Sequence, residues 1–220
     1  MKLTHSVFLI ILILIIDQFS KVYVKTNFFY EESYRVLSWF NLTFIENEGM
    51  AWGTKIPGDY GKLILTVFRI LAVAGIGYWL KDSIDREKSY FLIIAISLIF
   101  AGALGNIFDS VFYGVFFEES TRYHLAAMST DQHYGTWFHG KVVDMFEFPI
   151  WSGKFPIWFP IYGGQDFKFF NAVFNVADFS ISTGVGILIF FNKRAFAPVK
   201  LSPNVTFSEF GENENSFTKK

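Results

Sequence analysis

Two short segments of the chain carry the same polar pair at the same spacing. Asn106 and Asp109 close the apolar run ending AGALGNIFDS, and Asn175 and Asp178 open the run that begins FNVADFSIST. Residues three apart share one face of a helix, so each pair directs an amide and a carboxyl to one place. A third acid, Asp144, lies in GKVVDMFEF between two valines and Met145-Phe146. Apolar surroundings withdraw water from a carboxyl and favour its protonated form. Asp17 and Lys21 stand four apart in the first apolar run, acid first, the order that suits an intrahelical ion pair. They either neutralise each other near an interface or take a direct part in chemistry. Arg69 has no local acid partner and reads as a structural cation that snorkels or reaches a carboxylate on another helix. A charged group at the middle of a bilayer helix costs about 2.5 to 3.5 kcal/mol on insertion scales, which makes every one of these residues a functional candidate.

The elements that must position them are dictated by composition. The chain has 220 residues, 52% of them hydrophobic, 20% aromatic and 18% charged, too apolar for an ordinary soluble domain. A net charge of -1 and the lack of any nucleic-acid motif exclude nucleic acid as a partner. There is no cysteine, hence no disulfide, thiolate metal site or cysteine nucleophile. His124, His133 and His139 fall in one polar loop without ligand spacing, and His5 is near the start, so no metal is expected.

Four apolar stretches approach the length of a bilayer-crossing helix: about 7–24, 63–80, 90–106 and 172–191. The first has a basic start like a signal peptide, but DQFSK follows it and no small-residue cleavage site does, so it is expected to stay. The short link KDSIDREK and the residues Lys193-Arg194 put that link and both termini in the cytoplasm. Two long outer segments then remain, about 25–62 and 108–171, and long connections tend to carry function. The first mixes aromatic and β-branched residues and reads as short strands. In the second, the prolines of PIWSGKFPIWFPIY forbid a spanning helix. That stretch either lies on the membrane surface or folds on a small core of its own. The expected fold is therefore an integral membrane, mainly α protein: four transmembrane helices over residues 1–196, a small strand-rich outer element, an extended outer loop, and a disordered cytoplasmic tail, 197–220. Acids within a membrane also suit a proton-coupled transporter, but here they gather at one face and no inverted repeat accompanies them.

Five blocks in order, DQFSK (17–21), NEGMAWG (47–53), GALGNIFD (102–109), VVDMF (142–146) and FNVAD (174–178), resemble those of the lipoprotein signal peptidase, or signal peptidase II, family. The resemblance implies a membrane aspartyl endopeptidase of the bacterial cytoplasmic (inner) membrane. Such an enzyme cleaves the signal peptide from diacylglyceryl-modified prolipoproteins on the N-terminal side of the lipidated cysteine, at the periplasmic face. It implies Asp144 and Asp178 as the catalytic pair, with Asn47, Gly49, Asn106, Asp109, Asn175, Asp17 and Lys21 binding substrate or supporting the site. It also implies prolipoprotein and membrane lipid as partners, a monomer, and no metal or organic cofactor. Asn47, Asn106 and Asn175 are further expected to stabilise the oxyanion. Two departures from the family pattern stand out. Ser110 occupies the place where an arginine usually follows Asp109, leaving Arg122 or Arg69 to replace it, and residues 111–139 are an insertion.

Overall fold

The computed structural model describes residues 2–48, 60–129, 131–170 and 172–198. Helix α1 (Leu3–Asn27) leads into a hairpin of β1 (Ser33–Leu37) and β2 (Phe40–Asn47). Helices α2 (Gly61–Asp85) and α3 (Tyr90–Phe108) follow, joined by a short turn in which Ser89 caps α3 by accepting from Phe91 N–H. A single π-helical turn, Asp109–Tyr113, and the short helix α4 (Gly114–Phe116) prolong α3. Next come β3 (Val142–Glu147), the hairpin β4 (Trp151–Lys154) and β5 (Asp166–Phe169), then β6 (Val173–Phe174), α5 (Val176–Phe190) and α6 (Asn192–Ala195).

Among the described residues, three helical stretches are long and apolar enough to cross a bilayer: α1, α2, and α3 with its continuation to Phe116. The expected fourth span is only partly helical. Asn175 caps α5, and the two residues before it pair with β3 as strand β6, so the helix has 15 residues. At 1.5 Å per residue that is about 22 Å, short of the roughly 30 Å of a hydrocarbon core.

One apolar core joins the helices, with Ile10, Leu80, Leu92, Ile93 and Ile96 buried between them. The outward faces stay apolar as well: Phe8, Phe68 and Phe190 are all strongly exposed, which suits lipid and not water. The four-stranded sheet, in the order β1-β2-β3-β6, caps one end of this bundle. A second core of Val24, Phe44, Tyr113, Phe117, Val143 and Met145 glues the sheet to the ends of α1 and α3.

The first outer segment is strand-forming as expected, but its β2 pairs with β3 from the second segment, and β3 pairs in turn with β6, which falls within the expected fourth span. The second segment holds three strands, β3, β4 and β5, in place of one extended loop. The proline-rich stretch supplies β4 and most of the tip of the β4–β5 hairpin. Gly49 and most of the expected tail lie outside the described residues.

Candidate active site

The site is assembled where the sheet meets the ends of α1, α3 and α5. From α1, Asp17, Lys21 and Lys25 recur every fourth residue and form one fully buried polar stripe. The Lys21 ammonium has three N–H groups and meets three acceptors: Asp17 Oδ2 at 2.8 Å, Asp109 Oδ2 at 2.8 Å and Asn106 Oδ1 at 2.9 Å. Its hydrogen-bonding capacity is therefore filled. Asp17 Oδ1 accepts from Ala177 N–H at 2.8 Å, in the first turn of α5, where helix amides lack intrahelical partners and a negative charge is favoured. The ion pair read from the sequence is thus extended by Asp109 into a buried triad that ties α1 to α3 and α5.

Gln18, which the sequence reading passed over, bridges the two acids of the triad. Its Nε2 donates to Asp17 Oδ2 at 3.0 Å and to Asp109 Oδ1 at 2.9 Å, and its Oε1 accepts from Tyr113 Oη at 3.2 Å. An amide beside an acid in an apolar run was the signal available. The π-helical turn has a local role: its wider winding leaves Asp109, Ser110 and Tyr113 all buried on the inner side.

Asn175 is the N-cap of α5. Its Oδ1 accepts from Asp178 N–H at 2.9 Å, while Asp178 Oδ2 reaches back to Asn175 N–H at 3.4 Å, a reciprocal capping box. The i, i+3 pair of the sequence is therefore the helix start itself. The free Asn175 amide points at the sheet, donating to Asp144 Oδ1 at 2.8 Å and contacting Asn106 Oδ1 at 3.2 Å. Because Asn106 Oδ1 accepts from both Lys21 and Asn175, its Nδ2 is turned to Asp178 Oδ1, at 2.8 Å. Asn47, at the end of β2, donates to the other oxygen of Asp144. Register explains the meeting: Asn47 stands opposite Val142 and Ile45 opposite Asp144 in the β2–β3 ladder.

Asp144 and Asp178 are thus brought together from a strand and a helix and linked through the amides of Asn106 and Asn175. Their surroundings differ. Asp144 is 5% exposed, whereas Asp178 is half-buried. Burial, and after it the neighbouring Asp178 charge, push the Asp144 carboxyl up to about 8. All three asparagines direct an amide to one of these acids.

Of the two arginines proposed to replace the one missing after Asp109, Arg122 pairs with Glu31 on the exposed loop. Arg69, on α2, interacts electrostatically with Asp178. Ser110 itself is buried and donates to Asn106 O at 3.0 Å. The 111–139 insertion braces the sheet: buried Lys25 pairs with Glu46 on β2 and donates to Ser120 Oγ at 2.8 Å. A cleft of about 810 Å³ lined by Lys2, His5, Ile84 and Glu87 is at the opposite end of the bundle, away from these acids.

The sequence profile of signal peptidase (SPase) II matches residues 9–193 of the chain. A lipoprotein signal peptidase of Porphyromonas gingivalis is 44% identical over 182 residues, covering 82% of this chain and 79% of that one. Another, of Amoebophilus asiaticus, is 34% identical over 189 residues, covering 84% and 75%. Two bacterial membrane enzymes solved by the in meso method share the fold. One, at 2.3 Å resolution, has a TM-score of 0.58 at 23% identity, covering 91% of this chain and 95% of its own. The other, at 1.9 Å, has a TM-score of 0.56 at 25% identity, covering 86% and 93%.

Proposed function

The chain belongs to the signal peptidase II family, and from that premise we propose that Asp144 and Asp178 are the catalytic pair with which it cleaves signal peptides from lipoprotein precursors. The observation that carries this reading is the bridge of Asn106 and Asn175, which gives each acid a hydrogen bond and holds the two carboxyls in one network.

Two adjacent carboxyls do not both ionise easily, so one proton is shared between them. The buried Asp144 is the member that keeps it, and the half-buried Asp178 carries the charge. Asp178 accepts a proton from water as the water oxygen adds to the scissile carbonyl carbon. Asp144 donates a hydrogen bond to the carbonyl oxygen and then its proton to the leaving amine as the C–N bond breaks. The proton gained by Asp178 restores the shared one. Asn47, Asn106, Asn175 and Lys21 act through the acids as positioning residues.

The substrate is a prolipoprotein whose cysteine carries a diacylglyceryl group, cut on the N-terminal side of that cysteine. Its lipid and its signal helix keep the scissile bond at the bilayer boundary, which is why the acids cluster at one end of the bundle. In this reading α5 is the fourth crossing, the link 81–88 is cytoplasmic, and the sheet faces the periplasm from the inner membrane. A transporter would instead need polar groups along a path through the bundle.

The test is processing of a diacylglyceryl-modified prolipoprotein in detergent by Asp144→Asn and by Asp178→Asn. Each is expected to fall by at least the roughly 10² to 10⁴ of general acid–base help. Near-normal cleavage by either correctly folded variant overturns the assignment.

A further inference from the structure

The β4–β5 hairpin lies outside the catalytic network, and the mechanism does not use it. Its tip, residues 155–164, reads FPIWFPIYGG without a single charge. Part of it is satisfied internally: Phe155 packs on Phe159, Tyr162 and Phe167 with ring centroids 5.0, 5.9 and 4.9 Å away. That small core leaves Ile157, Trp158 and Ile161 outside it, at 91%, 79% and 86% exposure. Phe190, on the outer face of α5, is 84% exposed. The tip is therefore as bare as the side chains that meet lipid, a condition that water-facing surfaces avoid when apolar residues adjoin.

Charge is graded along the hairpin. Lys154 and Asp166 face each other across its stem, both largely exposed, and beyond them come Gln165 and then the uncharged, largely apolar and aromatic tip. At the root, Phe148 stacks on Phe174 at 5.5 Å and on Trp39 at 6.0 Å. Phe174 is followed directly by Asn175 and the start of α5. The hairpin thus springs from the level at which an apolar helix enters the bilayer, so its surface continues the lipid-facing one.

The geometry points to the β4–β5 hairpin as a membrane-interface arm, with Ile157, Trp158 and Ile161 immersed in the outer leaflet and the Lys154–Asp166 stem among the headgroups. Trp beside aliphatic residues is the composition that this layer selects. The arm rests on the membrane topology proposed above but not on the choice of catalytic acids.

The chain contains no cysteine, so a single introduced thiol labels one site. Nitroxides on Ile157→Cys, Phe190→Cys and Tyr123→Cys are compared in phosphatidylethanolamine–phosphatidylglycerol nanodiscs without substrate. Accessibility is read to oxygen, which concentrates in lipid, and to a water-soluble nickel chelate. The Ile157 label is expected to follow Phe190, favouring oxygen several-fold more than the Tyr123 label in the exposed loop. An Ile157 label that follows Tyr123, or one shielded from both reagents by protein, overturns the arm while leaving the topology intact. If the Phe190 label itself follows Tyr123, the membrane placement of α5 fails first. Unlabelled protein supplies a second measurement, in which Trp158→Phe reduces tryptophan quenching by lipids brominated on the acyl chain. Undiminished quenching after that substitution counts against the arm.

Discussion

Asn106 and Asn175 meet amide to amide at 3.2 Å, and each gives a hydrogen bond to a different aspartate, Asn106 to Asp178 and Asn175 to Asp144. Neither amide can turn over without loss. Lys21 holds Asn106 by its oxygen, and the Asp178 amide holds Asn175 by its own. The α5 cap and the link between the two acids are therefore one piece of structure.

Asn175→Ser separates those two duties. Serine caps a helix about as well as asparagine but is too short to reach Asp144, so stability should stay close to the parent's. A hydrogen bond between neutral groups, as Asp144 holds the proton, is worth about 0.5 to 1.5 kcal/mol, so processing should fall roughly two- to tenfold. Asn175→Ala should add a loss of about 1 kcal/mol in stability. Thermal unfolding and cleavage rate, measured side by side, check both. A serine variant with parental activity removes the bridge from the mechanism.

Lys21 supports the site from beneath. With Asp17 and Asp109 both fully buried, Lys21→Met leaves two carboxyls without their cation, a change that typically costs about 3 to 5 kcal/mol. Adding Asp109→Asn should restore part of the lost stability, although the same substitution in the parent chain should destabilise it. A double-mutant cycle on unfolding midpoints measures that reversal of sign. Simple additivity of the two losses means that the triad is not coupled.

Asp144 predicts a pH dependence of definite sign. Its carboxyl, raised to about 8, supplies the proton for the leaving amine, so kcat/KM should decline as pH rises through about 8, roughly tenfold per unit beyond it. The apparent value belongs to the pair of acids. Stability follows the same group: the folded state holds this proton above the ordinary range at which the unfolded chain releases it, so stability falls as pH rises from about 4 to about 8. Asp144→Asn, with no charge to bury, should be inactive and yet more stable than the parent above pH 8. A cleavage profile flat to pH 9.5 argues against Asp144 as the acid.

Much of this site was legible because bilayer helices make polar residues conspicuous. Asp17, Lys21, Asn106, Asp109, Asn175 and Asp178 stood out against apolar runs, and their spacings of three and four are those of the contacts Asp17–Lys21 and Asn175–Asp178. The apolar setting of Asp144 likewise announced its burial. The partners across the chain were not legible, since strand pairing and helix packing join residues with no periodic relation: Asn47 meets Asp144 from 97 positions away and Gln18 meets Asp109 from 91. The strands of the second outer segment were hidden for the same reason. For the proline-rich stretch, surface attachment and a small core looked like alternatives, yet the hairpin has the core and also keeps an uncovered apolar tip.

The close approach of α3 to α5 sets the distance between the acids' supports, and it depends on glycine. A Cβ on Gly102 would stand 2.2 Å from Ala177 O and 2.8 Å from Ile181 Cγ1, so Gly102→Ala must push α5 outward. Small residues at such crossings let backbones touch. Ala177 is the residue whose N–H binds Asp17, and Asp178 follows it, so the shift draws Asp178 from Asn106. Overpacking of this kind costs about 1 to 3 kcal/mol, and a displacement near 1 Å at a reacting group costs about a hundredfold in rate. Gly186, on the same helix, has open space where a Cβ would go, and alanine is the better helix former by about 0.8 to 1 kcal/mol. Gly186→Ala should therefore process normally and unfold no earlier than the parent, while Gly102→Ala loses most of its activity with KM little changed. Equal behaviour of the two variants would mean that helix contact does not set the position of Asp178.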